Sequence, residues 1–177
     1  KSKWVKDFFV GIDYGTTKSA IATVERGGAP ELLNIDPNYS GSSIPSAVKL
    51  SLPEGEQSSP IFNVDAVGYW AKYAEVDAGD SSQVFEQAKL RIGKGIFKDQ
   101  STIKPLFRSV TPEEIAAIII GYLKKAAEKN PISTGNTTLS QLQSATITVP
   151  ANWDPVRREA TKYSAVLAGF DNIELID

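Results

Sequence analysis

The residues of this chain best able to do chemistry are gathered in the run Gly11-Ile12-Asp13-Tyr14-Gly15-Thr16-Thr17. A glycine in a tight turn lets main-chain N–H groups face an anion, and hydroxyls directly beyond it add donors. Asp13 follows the apolar run Phe8 to Ile12, so it stands at a strand end, where a carboxylate can hold the hydration shell of a magnesium ion. The pattern describes a phosphate cradle, with Tyr14, Gly15, Thr16 and Thr17 around the anion and Asp13 reaching the metal through water. The same residues also make an ordinary hairpin with a glycine turn. A P-loop does not fit. It needs four residues between its glycines and a Gly-Lys-Ser/Thr end, whereas three separate Gly11 from Gly15 and Lys18 lies three beyond Gly15.

The missing residue types narrow the chemistry further. With no His and no Cys there is no imidazole base, thiolate nucleophile, disulfide or Cys/His zinc site. What remains is carboxylates, Lys and Arg, hydroxyls and backbone amides, a set that suits phosphate and a hard cation. Nineteen basic and 21 acidic residues give a net charge of -2 and a pI near 5.3. That balance excludes the electrostatic footprint of a nucleic-acid binder or a membrane-surface protein. No apolar stretch approaches the roughly 20 residues that span a bilayer, and Lys1 to Val10 lacks a signal peptide's apolar run. The expectation is a soluble cytoplasmic protein. At 177 residues and 41% hydrophobic content the chain is the size of one domain.

The elements that must position Asp13 read as follows. Phe8 to Ile12 and Ser19 to Val24 form a hairpin, and Glu31 to Ile35 and Pro45 to Leu50 continue an antiparallel meander. Asp36 to Ser43 and Ser51 to Pro60 are turn-rich loops. Val67, Trp70 and Ala74, then Val84, Ala88 and Ile92, recur at helical spacing and predict two short helices. Thr111-Pro112-Glu113-Glu114 is a capping box opening a helix to about Asn130, followed by a polar loop from Pro131 to Ser140. Ala145 to Val149, a helix capped by Asp154 and ending at Gly169, and Ile173 to Ile176 make a βαβ unit with parallel strands. Antiparallel strands first and a crossover last describe the mixed α/β sheet of the ribonuclease-H-like class.

The segment VGIDYGTTKSAIA resembles the first phosphate motif of the seventy-kilodalton heat-shock chaperones, and is nearly as similar to that of sugar and glycerol kinases of the same superfold. ATITVPANWDPVRREATKYSAVLAGFDNIELI, from Ala145 to Ile176, resembles the heat-shock family and lacks the kinase pattern. Ile44-Pro45-Ser46, Val67-Gly68, Lys89 to Gly93 and the Thr-Pro-Glu-Glu-Ile helix start follow in the family's order. The resemblance implies an actin-like ATPase fold, with residues 1–177 as the first lobe of a nucleotide-binding domain and the second lobe and peptide-binding domain outside it. It further implies ATP or ADP with magnesium as ligands, ATP hydrolysis driving client-peptide binding in a stress-response parent, and no activity in this lobe alone. Lys89 is the residue implied at the terminal phosphate, with Arg91 and Lys94 close enough to compete. Pro150 and Arg158 are implied as a relay of nucleotide state. Asn152-Trp153 replaces the usual aromatic pair, and Glu174 stands where many members carry a basic residue, so a J-domain co-chaperone contact is not expected to be normal. A sugar or polyol kinase and a non-hydrolysing regulatory relative are the alternatives.

Overall fold

Strict alternation along β1 (Phe8–Tyr14) puts Val10, Ile12 and Tyr14 in the core and turns Phe9, Gly11 and Asp13 to the opposite, exposed face. β1 pairs antiparallel with β2 (Lys18–Glu25), with Asp13 opposite Ala20 and Tyr14 opposite Ser19. In this computed structural model the described residues are 8–36, 41–54, 61–75, 81–95, 97, 103–129 and 142–177. The large sheet also takes β3 (Glu31–Leu32), β4 (Ser43–Pro45), β8 (Ser144–Thr148) and β9 (Asn172–Ile176), in the order β3-β2-β1-β8-β9 with β4 also on β2. β1, β8 and β9 run parallel, so the sheet is mixed, as the ribonuclease-H-like reading expects. A second sheet holds β5 (Ala47–Ser51), β6 (Asn63–Val67) and β7 (Ser82–Glu86) in the order β6-β5-β7.

Four of the expected elements differ. The single strand expected over Pro45 to Leu50 is two: β4 ends at Pro45 on the large sheet, and the chain crosses at Ser46 into β5 of the small one. The helix expected through Val67, Trp70 and Ala74 is strand as far as Val67, and only α1 (Tyr69–Lys72) is helical. The helix expected through Val84, Ala88 and Ile92 is β7 followed by a 3-10 turn, Ala88–Leu90. Gln87 between them has φ 57°, a left-handed conformation that no continuing helix tolerates. The strand expected over Glu31 to Ile35 is only Glu31–Leu32, with the Leu33 N–H adding one bond to the Ile21 carbonyl of β2. The loop Pro131 to Ser140 and most of Ser51 to Pro60 lie outside the described residues.

The two long helices start as their caps dictate. In α2 (Pro112–Lys129) the Glu114 N–H donates to Thr111 Oγ1 at 3.2 Å while Glu114 Oε2 accepts the Thr111 N–H at 2.8 Å. In α3 (Pro155–Leu167) Asp154 Oδ1 accepts the Arg157 N–H at 2.8 Å, and Gly169 at φ 90° closes the far end. α2 buries Ile115, Ile119 and Leu123 against the inner face of the large sheet. Phe85, Phe97 and Phe107 meet ring to ring beside the small sheet. The outer face of the large sheet stays bare among the described residues: Phe9 is 57%, Leu32 59% and Ile176 44% exposed. No helix of the described residues is long and apolar enough to cross a membrane.

Candidate functional site

Asp13 is the last outward-facing residue of β1, and β8 lies beside it in parallel register, Gly11 with Thr146 and Ile12 with Ile147. One step further along, Thr148 Oγ1 donates to Asp13 Oδ1 at 2.9 Å. This fixes one carboxylate oxygen by a neutral donor. Beyond Asp13 the chain turns through Gly15, Thr16 and Thr17. A Cβ on Gly15 would lie 2.1 Å from the Lys18 carbonyl oxygen, so no other residue closes this turn unchanged.

The turn is fastened from beneath by two buried serines. Ser46 Oγ donates to the Gly15 carbonyl at 2.8 Å, Ser19 Oγ lies 2.8 Å from Ser46 Oγ, and the Gly15 N–H donates to Ser19 Oγ at 3.3 Å. The Ser46 N–H completes the tie by donating to the Thr17 carbonyl at 2.8 Å. Gly15's amide is thereby used inward. The hydroxyls of Thr16 and Thr17 make no hydrogen bond among the described residues, and Thr17 is exposed. Tyr14 points the other way. Its phenol is buried, its hydroxyl has no hydrogen-bond partner, and burial, with Glu113 adding to it, pushes its pKa up. Only Tyr14's main chain reaches the turn.

Lys89, on the 3-10 turn after β7, comes against the Tyr14 ring. Its Nζ lies 5.8 Å from the centroid of the Tyr14 ring and 5.5 Å from that of Trp153. Burial holds the ammonium below the usual lysine range, and the negative charge of Asp13 works against that fall, so the two groups share one field. Of the two competing cations, Lys94 is exposed and Arg91 is half-buried. The loop carrying Lys89 is pinned at Gly93, whose N–H donates to Glu113 Oε1 at 2.7 Å.

Pro150 is exposed at the end of β8 and opens a turn in which the Trp153 N–H donates to its carbonyl at 3.0 Å. Arg158 clamps that turn. Its Nε donates to the Trp153 carbonyl at 3.2 Å, its Nη2 to the Ala151 carbonyl at 3.4 Å, and Nη2 also pairs with Asp177 after β9. Glu174 is exposed on β9, the end strand of the sheet. Among the described residues no three His, Cys, Asp or Glu side chains gather to cage a metal. A lone carboxylate fits a cation that keeps its water and takes its other ligands from phosphate.

Thr148, Trp153, Ser19 and Ser46 were not legible as site residues. Thr148 had a signal in retrospect, since it stands two before Pro150 on a strand predicted parallel. Ser46 lay in a segment that follows the family's order, but its meeting with Ser19 depends on β4 pairing with β2, which no local signal shows.

The strand order, the crossover at its end and the glycine turn beside a strand-end carboxylate are those of the actin-like ATPase fold. A family model described as Hsp70 protein matches residues 9–177, and the chain belongs to that family. It is 30% identical over 176 residues to the chaperone protein DnaK of Metamycoplasma hominis, covering 97% of this chain and 24% of the relative. Against a chaperone protein HscA homolog of Azotobacter vinelandii it is 33% identical over 186 residues, covering 95% of this chain and 26% of the relative. DnaK of Thermotoga neapolitana is 30% identical over 172 residues, covering 97% and 25%. The chain thus spans about a quarter of the length of the curated relatives it matches.

Proposed function

We propose that this chain is the phosphate-binding lobe of an ATP-driven chaperone, in which ATP hydrolysis is coupled to client-peptide binding by parts of the protein outside these residues. The observation that carries the reading is that Lys89, on the 3-10 turn after β7, lies over the ring of Tyr14, the neighbour of Asp13 on β1, and feels the Asp13 charge. In this reading the Thr16 and Thr17 donors hold the phosphates of ATP, and Asp13 binds the waters of a magnesium ion. Magnesium supplies charge neutralisation at the phosphates. Water attacks the terminal phosphorus, the bond to the bridging oxygen breaks, and ADP and phosphate leave. Lys89 stabilises the negative charge on the transferring group and orients the attacking water.

Support for the wider assignment is the family membership and the names of the DnaK and HscA relatives. The clamp of Arg158 on the Pro150 turn supports a relay of nucleotide state through these two residues. Glu174, acidic and exposed, argues for a weak J-domain contact. The deciding measurement is single-turnover ATP hydrolysis by the intact protein and its Lys89→Ala variant, with nucleotide affinity measured alongside. A loss of about a hundredfold in rate with affinity largely kept is expected. An unchanged rate would overturn the role given to Lys89, absence of turnover in the parent would place the protein in the non-hydrolysing class, and magnesium-dependent turnover by residues 1–177 alone would refute the division of labour between lobes.

A further inference from the structure

A lysine side chain is a flexible stem ending in a point charge, and it contributes to a preorganised site only when something holds that charge in place. A carboxylate partner would hold it and at the same time cancel the charge that phosphate needs. An aromatic face holds a cation and leaves its charge intact. Lys89 has two such faces. The Tyr14 ring lies beneath it as part of the core, and the Trp153 ring, 5.5 Å from Nζ, comes from the turn after β8.

That turn is itself well fixed. Trp153 is tied by its N–H to Pro150 and by its carbonyl to Arg158, and the Arg157 guanidinium lies 5.7 Å from its ring centroid. The Lys89 loop presses on the same helix start, since a Cβ on Gly93 would meet Arg157 Cα at 3.1 Å. β8 therefore serves both charges: Thr148 on the strand holds Asp13, and Trp153 just past it faces Lys89.

We propose that Trp153 is a positioning residue, which holds the Lys89 ammonium at the phosphate site through its indole face. The proposal rests on Lys89 acting at the transferring phosphate, and its tests separate the two. The intact protein is labelled with 5-fluorotryptophan, and the Trp153 resonance is assigned by its loss in Trp153→Phe. Lys89→Met is expected to shift that resonance, and an unmoved resonance overturns the contact whether or not the protein turns over ATP. In single-turnover hydrolysis, Trp153→Leu, which fills space without a π face, is expected to slow the rate about tenfold with nucleotide affinity kept within about twofold. Trp153→Phe is expected to recover most of that loss, an effect that space-filling alone would not produce.

If Lys89→Ala keeps the full rate, the reading of Lys89 fails and the positioning role falls with it. If Lys89→Ala is slow and Trp153→Leu is as fast as the parent, only the role of Trp153 is overturned. Should Trp153→Leu unfold, as read by circular dichroism, the fluorine shift in Lys89→Met and the rate of Trp153→Phe decide.

Discussion

Lys89 is held half-buried against two rings, and the fold bears a cost for its charge. The direction of its pKa shift, downward through burial, makes the consequence testable. In the unfolded chain the lysine binds its proton up to its ordinary pKa near 10.5, whereas in the fold it releases it earlier. Between those two values the unfolded state holds more protons, so stability rises with pH there, and below both the full cost of the buried charge remains. Lys89→Met removes the charge and keeps the stem. The variant is expected to melt higher than the parent at pH 7, and its advantage to shrink as pH climbs toward 10.5. A variant that melts lower at pH 7 would mean that attraction to Asp13 and the rings outweighs desolvation.

At the scale of elements, the hairpin turn is the part least able to change. Gly15→Ala forces a Cβ against the Lys18 carbonyl, so the turn must open and strain the Ser19–Ser46 tie beneath it. Denaturant unfolding is expected to show a loss of about 1–3 kcal/mol, with nucleotide binding lost as well. Wild-type stability in Gly15→Ala would show that the turn has room to relax. This hairpin, α2 and α3 were legible in the sequence because their signals are local: alternation, a capping box, an Asp-Pro start. β7 was not. Val84, Ala88 and Ile92 satisfy helical spacing, yet they sit in a strand, a 3-10 turn and the turn after it, and the strand exists because β5 pairs with it. The site divides the same way. Asp13 and Lys89 were singled out by motif and resemblance, while Thr148 and Trp153 came beside them only once parallel pairing brought β8 next to β1.

For the molecule as a whole, the bare outer face of the large sheet matters most. Phe9, Leu32 and Ile176 border a shallow, largely apolar groove of about 360 Å³ that also reaches Asp13. Exposed apolar surface of this kind calls for a cover. Residues 1–177 in isolation are therefore expected to bind the dye ANS, and Leu32→Lys to weaken that binding without lowering helix content. Dye binding unaffected by Leu32→Lys would place the sticky surface elsewhere. The crossing of the chain at Ser46 carries a different lesson. Asp13 rides on the large sheet and Lys89 on the 3-10 turn that follows the small one, so any slippage between the sheets alters the spacing of these two charges. Because Ser46 at the crossover is also bolted to the Gly15 turn, a shift of the small sheet would pull directly on that turn.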